Sequence, residues 1–271
     1  MSAITSAAQA RQEIARLDAF LAQLEADERA LEIDATPIPQ VRPAPVPLPE
    51  PANDAGFAFV DYGKFYDFLR SNRMLGPKIS ADEFAGCDAI IKACAQGGWP
   101  VSFVAYGLAT AFLETAGTMQ PIKEKGGPTY FTRMYDINGA RPHVAKDLGN
   151  IHPGDGVKFA GRGYVQLTGR RNYTLATAKL RALGINVDLI ANPDDAMRPD
   201  VAAAIMVMGM AEGWFTSRRL SDDLQSRGPS SRAQFKASRD IINGKDRDDE
   251  IAGFAVDFQT GLMAGGYKIA A

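Results

Sequence analysis

Within ATAFLETAGTMQPIKE, Ala109 to Glu124, one glutamate stands where an apolar helix runs out, and a second follows beyond a glycine and a proline. Two carboxyl groups on opposite sides of a cleft can divide acid and base work if their surroundings differ. Val101, Val104, Ala105, Leu108, Ala111 and Phe112 make the core stripe of a helix opened by Pro100, and Glu114 borders that stripe in a row with Phe103, Gly107 and Thr110. Gly117 is the expected C-cap. Glu114 then falls in the last turn, where burial and the negative end of the helix dipole both raise a carboxyl pKa, as a general acid requires. Glu124 lies between Lys123 and Lys125 in a loop, a setting that favours the ionised form and suits a general base. From spacing alone, a pair of ordinary solvated glutamates remains an open reading.

A second stretch, KFAGRGYVQLTGRRNY, runs from Lys158 to Tyr173. If it contains a short strand, Tyr164, Gln166 and Thr168 turn to one face, and Val165 and Leu167 turn to the core. An aromatic ring beside an amide and a hydroxyl suits a sugar site, the ring covering a pyranose face and the polar groups meeting its hydroxyls. Gly161 and Gly163 let the backbone turn tightly around Arg162, a fixed cation; a glycine-rich hairpin with a structural arginine is the alternative. The two histidines, His143 and His152, lie near Asp147 and Asp155, but their spacing fits no standard metal-ligand pattern. They are read as loop residues near the cleft, with no metal site.

The elements that must position these residues are mostly helical. FYDFLRSNRML is followed by ISADEFAGCDAIIKACAQGG, in which Ser80 and Glu83 hold capping-box positions and Gly97 and Gly98 form the stop. DVAAAIMVMGMAE, Asp200 to Glu212, is apolar nearly all round, as a buried central helix is. No alternation of strands and helices marks a doubly wound sheet. Upstream, Ala7, Ala10, Ile14, Leu17, Leu21, Leu24 and Leu31 follow heptad spacing over residues 1–35. This amphipathic helix either oligomerises or docks on a partner, or it folds back on the main domain. TPIPQVRPAPVPLPEP, within residues 36–54, reads as an extended proline-rich linker.

With a formal charge of −2 and 46% hydrophobic residues, the chain has a globular composition and no basic block that would mark a nucleic-acid footprint. Cys87 and Cys94 are seven residues apart in a helical pattern, about 10 Å, too far to bridge, and are expected reduced in the core. The first residues have no apolar signal core, and no segment has the length of a membrane span.

The two catalytic-looking stretches, in this order and separation, resemble the signature regions of family-19 glycoside hydrolases: chitinases of plants and bacteria and phage endolysins of lysozyme-like fold. The resemblance extends to YFTRMYD (Tyr130 to Asp136), ANPDDA (Ala191 to Ala196), Trp214-Phe215 and RDIING (Arg239 to Gly244). It implies a mainly α, lysozyme-like domain with a small β element over residues 55–271. By position, Glu114 matches the general acid, Glu124 the general base and Thr168 the hydroxyl that helps hold the attacking water. Gln166, Asn172, Tyr173 and Asn243 match cleft-lining positions, and Arg162, Arg239 and Arg247 the charged network around the carboxylates. The family commonly has His before the acid; this chain has Leu113.

The resemblance implies inverting hydrolysis of a β-1,4 bond between N-acetylated amino sugars, with no metal or organic cofactor. The short segment between the glutamates is as in the phage members and favours peptidoglycan over chitin. The expected protein is a bacteriolytic lysis enzyme that waits in the cytoplasm without a signal peptide, or a virion-carried wall-opening protein held through residues 1–35. A chitinase, and a non-catalytic sugar-binding or virion protein on the same fold, are the alternatives.

Overall fold

The structure is a computed structural model and describes residues 61–76, 78–242 and 247–267. The heptad helix and the proline-rich linker lie outside the described residues. Among the described residues the protein is mainly α, with one two-stranded sheet. The helices are α1 (Tyr62–Ser71), α2 (Ala81–Gln96), α3 (Val101–Glu114), α4 (Pro128–Tyr135), α5 (Pro142–Asp147), α6 (Asp155–Lys158), α7 (Arg170–Ala182), α8 (Pro199–Glu212), α9 (Leu220–Asp223), α10 (Arg232–Ala237) and α11 (Asp248–Ala264). The strands are β1 (Ile122–Lys123) and β2 (Arg162–Gly163), antiparallel, with Ile122 opposite Gly163 and Lys123 opposite Arg162.

Sequence chemistry explains the helix bounds. At α2 the Ser80 hydroxyl accepts from the Glu83 N–H, and the Glu83 carboxylate accepts from the Ser80 N–H at 2.7 Å, the reciprocal box. Gly97 ends that helix. Gly213, in the left-handed conformation at φ 77°, ends α8. Both cysteines are free and fully buried.

The body is built around α3, which packs along α11 and also against α2; α2 in turn packs on α8. Twelve of the fourteen α3 residues are buried, so the single core stripe read from the sequence understates its burial: neighbours cover nearly the whole circumference. The α8 helix is buried in the same way, with Ala202, Ala203 and Ala204 allowing close approach. At Gly86 a side chain would collide with the Met119 carbonyl oxygen, so the chain leaving α3 lies directly on α2 there. No helix among the described residues is long and apolar enough to cross a membrane.

Candidate active site

Glu114 is the last residue of α3. Thr115 is the C-cap, and Gly117, at φ 83°, returns its N–H to the Phe112 carbonyl at 2.8 Å. The Glu114 side chain is about one-fifth exposed, at 18%, and its Oε1 accepts from Arg239 Nη1 at 2.9 Å. Arg239 is itself 2% exposed. A buried guanidinium therefore faces the carboxyl group, a fixed positive charge opposed to the helix-end dipole.

Glu124 follows β1 directly. Its backbone N–H donates to the Gly161 carbonyl at 2.8 Å, which extends the strand pairing by one residue. Its side chain is held at both oxygens: Oε1 accepts from the Tyr135 hydroxyl at 2.7 Å and Oε2 from the Gly161 N–H at 3.0 Å. Burial, and then the Glu124 carboxylate itself, push the Tyr135 hydroxyl well above its ordinary pKa, so it stays a donor at neutral pH. A Cβ on Gly161 would lie 2.8 Å from Gln166 Oε1 and 3.0 Å from Glu124 Oε2. Glycine is needed here for the close approach of Glu124.

Both carboxylates line one cavity of about 620 Å³, with Gln166, Thr168 and Asn172 also on its lining. Gln166 adopts φ 51°, uncommon for a residue with a side chain, and its amide donates to the Ile122 and Gly163 carbonyls at 3.2 and 3.1 Å. The Thr168 hydroxyl donates to the Gln166 carbonyl at 2.7 Å, and the Asn172 amide to the Thr168 carbonyl at 2.9 Å. These bonds tie Gln166 and Thr168, in the turn after β2, to Asn172 in the first turn of α7. A second concavity of about 540 Å³ has an aromatic floor of Tyr62, Tyr66 and Phe84 but contains neither glutamate.

Three sequence expectations are corrected. Tyr164 is fully buried and does not line the cavity. The alternation that would turn it outward fails because β2 is only Arg162–Gly163 and the positive φ at Gln166 reverses the chain. Tyr173 is also fully buried; burial, partly offset by Arg162, pushes its hydroxyl up to about 12, and it donates to the Ala160 carbonyl at 2.8 Å. Arg162 is not bonded to either glutamate: it pairs with Asp194 at 2.7 Å and donates to the Lys158 and Ala160 carbonyls and to the Tyr173 hydroxyl. Arg162 and Tyr173 thus form the structural support behind the turn.

Arg247 forms two bonds to Glu250, at 2.6 and 2.7 Å, at the start of α11. Asn243 lies outside the described residues. His143 and His152 are both exposed. Asp155 is occupied by Arg170 and by the N–H groups of Ile151 and His152, and no group of metal-ligating side chains occurs among the described residues.

The sequence reading gave no individual role to Tyr135, although YFTRMYD contains it, nor to Ala116, Ile122, Val144, Leu148, Phe215 and Ile242, which also line the cavity. Leu113, where a histidine is common in the resembled family, also lines the cavity.

No protein-family model matches the chain, and no curated protein matches it. Among solved structures it is similar to a bacterial family 19 chitinase, at 18% identity and a TM-score of 0.43 over 79% of this chain and 98% of that one. It is similar to chitinase C from Streptomyces griseus HUT6037, at 17% identity and a TM-score of 0.45 over 79% of each chain. A point mutant of chitinase C gives 18% identity and a TM-score of 0.45 over 81% of this chain and 98% of that one.

Proposed function

We propose that this chain is a wall-degrading glycoside hydrolase of lysozyme-like fold, a muramidase of the endolysin type, that cuts β-1,4 bonds of peptidoglycan with inversion. The observation that carries the reading is that Glu114 and Glu124 line one cavity in unlike surroundings, one on a helix end against Arg239, the other clamped by Tyr135 and Gly161. An inverting route needs two carboxyl groups about 6.5–9.5 Å apart, with a water between the base and the sugar.

In this mechanism the Glu114 carboxyl donates its proton to the glycosidic oxygen as the bond from C1 to that oxygen breaks. A water attacks C1 from the opposite face, and Glu124 takes the water's proton. Thr168 has a defined part. Its hydroxyl hydrogen is spent on the Gln166 carbonyl, so towards a water it can only accept. A water that donates one hydrogen to Glu124 and the other to Thr168 keeps a lone pair directed at C1. Arg239 then faces the carboxylate that proton transfer leaves on Glu114. Exchange with solvent resets both groups.

Two measurements test the reading. Borohydride reduction of a peptidoglycan digest followed by mass spectrometry should show reduced N-acetylmuramic acid at the new ends, and proton NMR should show the α-anomer first. New ends carrying only reduced N-acetylglucosamine overturn the muramidase assignment, and the β-anomer first overturns inversion. Residues 1–35 and 36–54 are proposed to lie outside the catalytic domain. A chain beginning at Asn53 should then hydrolyse wall material as fast as the full chain, and an insoluble or inactive product refutes that boundary.

A further inference from the structure

The charge of the chain is unevenly placed. Against a formal total of −2, residues 121–171 carry nine Lys and Arg and four Asp and Glu, a net of +5. Three of those acids are engaged: Glu124 in the site, and Asp136 and Asp155 buried and bonded to backbone N–H groups; two of the cations are paired as well, Arg162 with Asp194 outside the segment and Arg170 with Asp155. Asp147 is the one exposed acid of this segment, against exposed Lys123, Lys125, Arg133, Arg141 and Lys146. The same segment lines the cavity with Ile122, Glu124, Lys125, Tyr135, Val144 and Leu148. Lys125 is the one cation on that lining among the described residues, and its ammonium makes no ion pair or hydrogen bond among them.

A lysine among the residues that line a substrate cavity has an electrostatic consequence that depends on the polymer. A chain of N-acetylglucosamine offers hydroxyls and amides but no formal charge. A wall glycan carries carboxylates on alternate sugars, either on the stem peptide or on the lactyl group once the peptide is removed. A field of net positive charge with few exposed acids draws the second kind of polymer and gives nothing to the first.

We propose that Lys125, set in this cationic wall, is a specificity element that pairs with a carboxylate borne by the sugar chain beside the cut bond. The assignment of the cavity as a glycan site rests on the function proposed above; the charge preference does not depend on turnover.

The test therefore reads binding. The full chain and its Lys125→Gln variant are co-sedimented with peptide-bearing wall glycan, with wall glycan stripped of its peptides, and with chitin, at low and at physiological salt. The substitution should weaken retention about 3–5-fold on a carboxylate-bearing glycan and leave chitin within twofold, the difference fading as salt is added. A loss on peptide-bearing strands assigns the contact to the stem peptide, and a loss on stripped strands to the lactyl carboxylate. Equal loss on chitin, or no loss on any glycan, overturns the proposal. Retention without hydrolysis would refute the proposed activity and leave the charge preference standing.

Discussion

Glu114 and Glu124 reach the same cavity from two regions built by different forces. The body that presents Glu114 is apolar packing: α3 is buried nearly all round, between α2 and α11. The lobe that presents Glu124, residues 121–171, has short helices of eight, six and four residues, held by single polar side chains. Asp136 Oδ2 accepts from the Gly154 N–H at 2.7 Å. The Asn150 side chain bridges the Tyr135 carbonyl and the Arg170 N–H, each at 2.8 Å. Asp155 fixes Ile151, His152 and Arg170. A region held by apolar area fails through changes in volume; a region held by carboxylates fails through single bonds and through pH.

The sharpest break in this comparison is chemical. Glu114→Gln and Glu124→Gln should each lower kcat on wall glycan by about 10³-fold, within the range for acid–base groups. Their stabilities should differ, because only Glu114 faces a buried guanidinium: its substitution is expected to lower unfolding free energy by about 1.5–3 kcal/mol. Denaturant titration of both variants checks this, and near-wild-type turnover in either removes that residue from the mechanism.

Next is the seam between the regions. Gly86→Ala places a methyl group against the Met119 carbonyl, a backbone atom that cannot rotate away, so the segment joining the two glutamates must shift. A loss of about 3 kcal/mol is expected. If the melting temperature is unchanged, the contact of α2 with residue 119 is looser than the structure has it.

Gly161→Ala should act on the site more than on the fold. The added methyl meets Gln166 Oε1 and Glu124 Oε2, both side-chain ends that can give, so the fold should survive while the Glu124 carboxylate, the proposed general base, is displaced. A fall in kcat of about 10–100-fold with KM little changed is expected, the usual cost of displacing a reacting group by a fraction of an ångström to an ångström. A rise in KM alone would mean that Gly161 shapes the binding surface and not the base.

These contrasts also explain what was legible in the sequence. The capping box of Ser80 and Glu83 and the buried helix ending at Glu212 involve residues a few positions apart, and local pattern fixes both. The outward turn expected of Tyr164 depended on a strand longer than the chain makes, and a positive φ at Gln166 is not written in its residue type. The pairing of Arg239 with Glu114 spans 125 positions, and Tyr135 on α4 meets Glu124 beyond β1, a contact between two different elements. Periodicity carries no information about contacts of that kind.

The most local effect should appear only in the lobe. Asp155 is buried, which alone would raise its carboxyl pKa, but Arg170 and the N–H groups of His152 and Ile151 outweigh burial and hold it below the ordinary carboxylate value. A carboxyl lowered by folding contributes stability that is complete above the unfolded pKa, about 3.9, and is lost as pH falls through the folded value. Asp155→Asn should therefore cost about 1.5–3 kcal/mol at pH 7 and progressively less as the pH is taken well below 4, where the wild-type carboxyl is itself protonated. Amide exchange followed by mass spectrometry locates the change: peptides covering residues 150–158 should lose protection first, while those from α3 and α8 keep theirs. Uniform loss across both regions would mean that lobe and body unfold together, and that the difference between them is one of construction without a difference in stability.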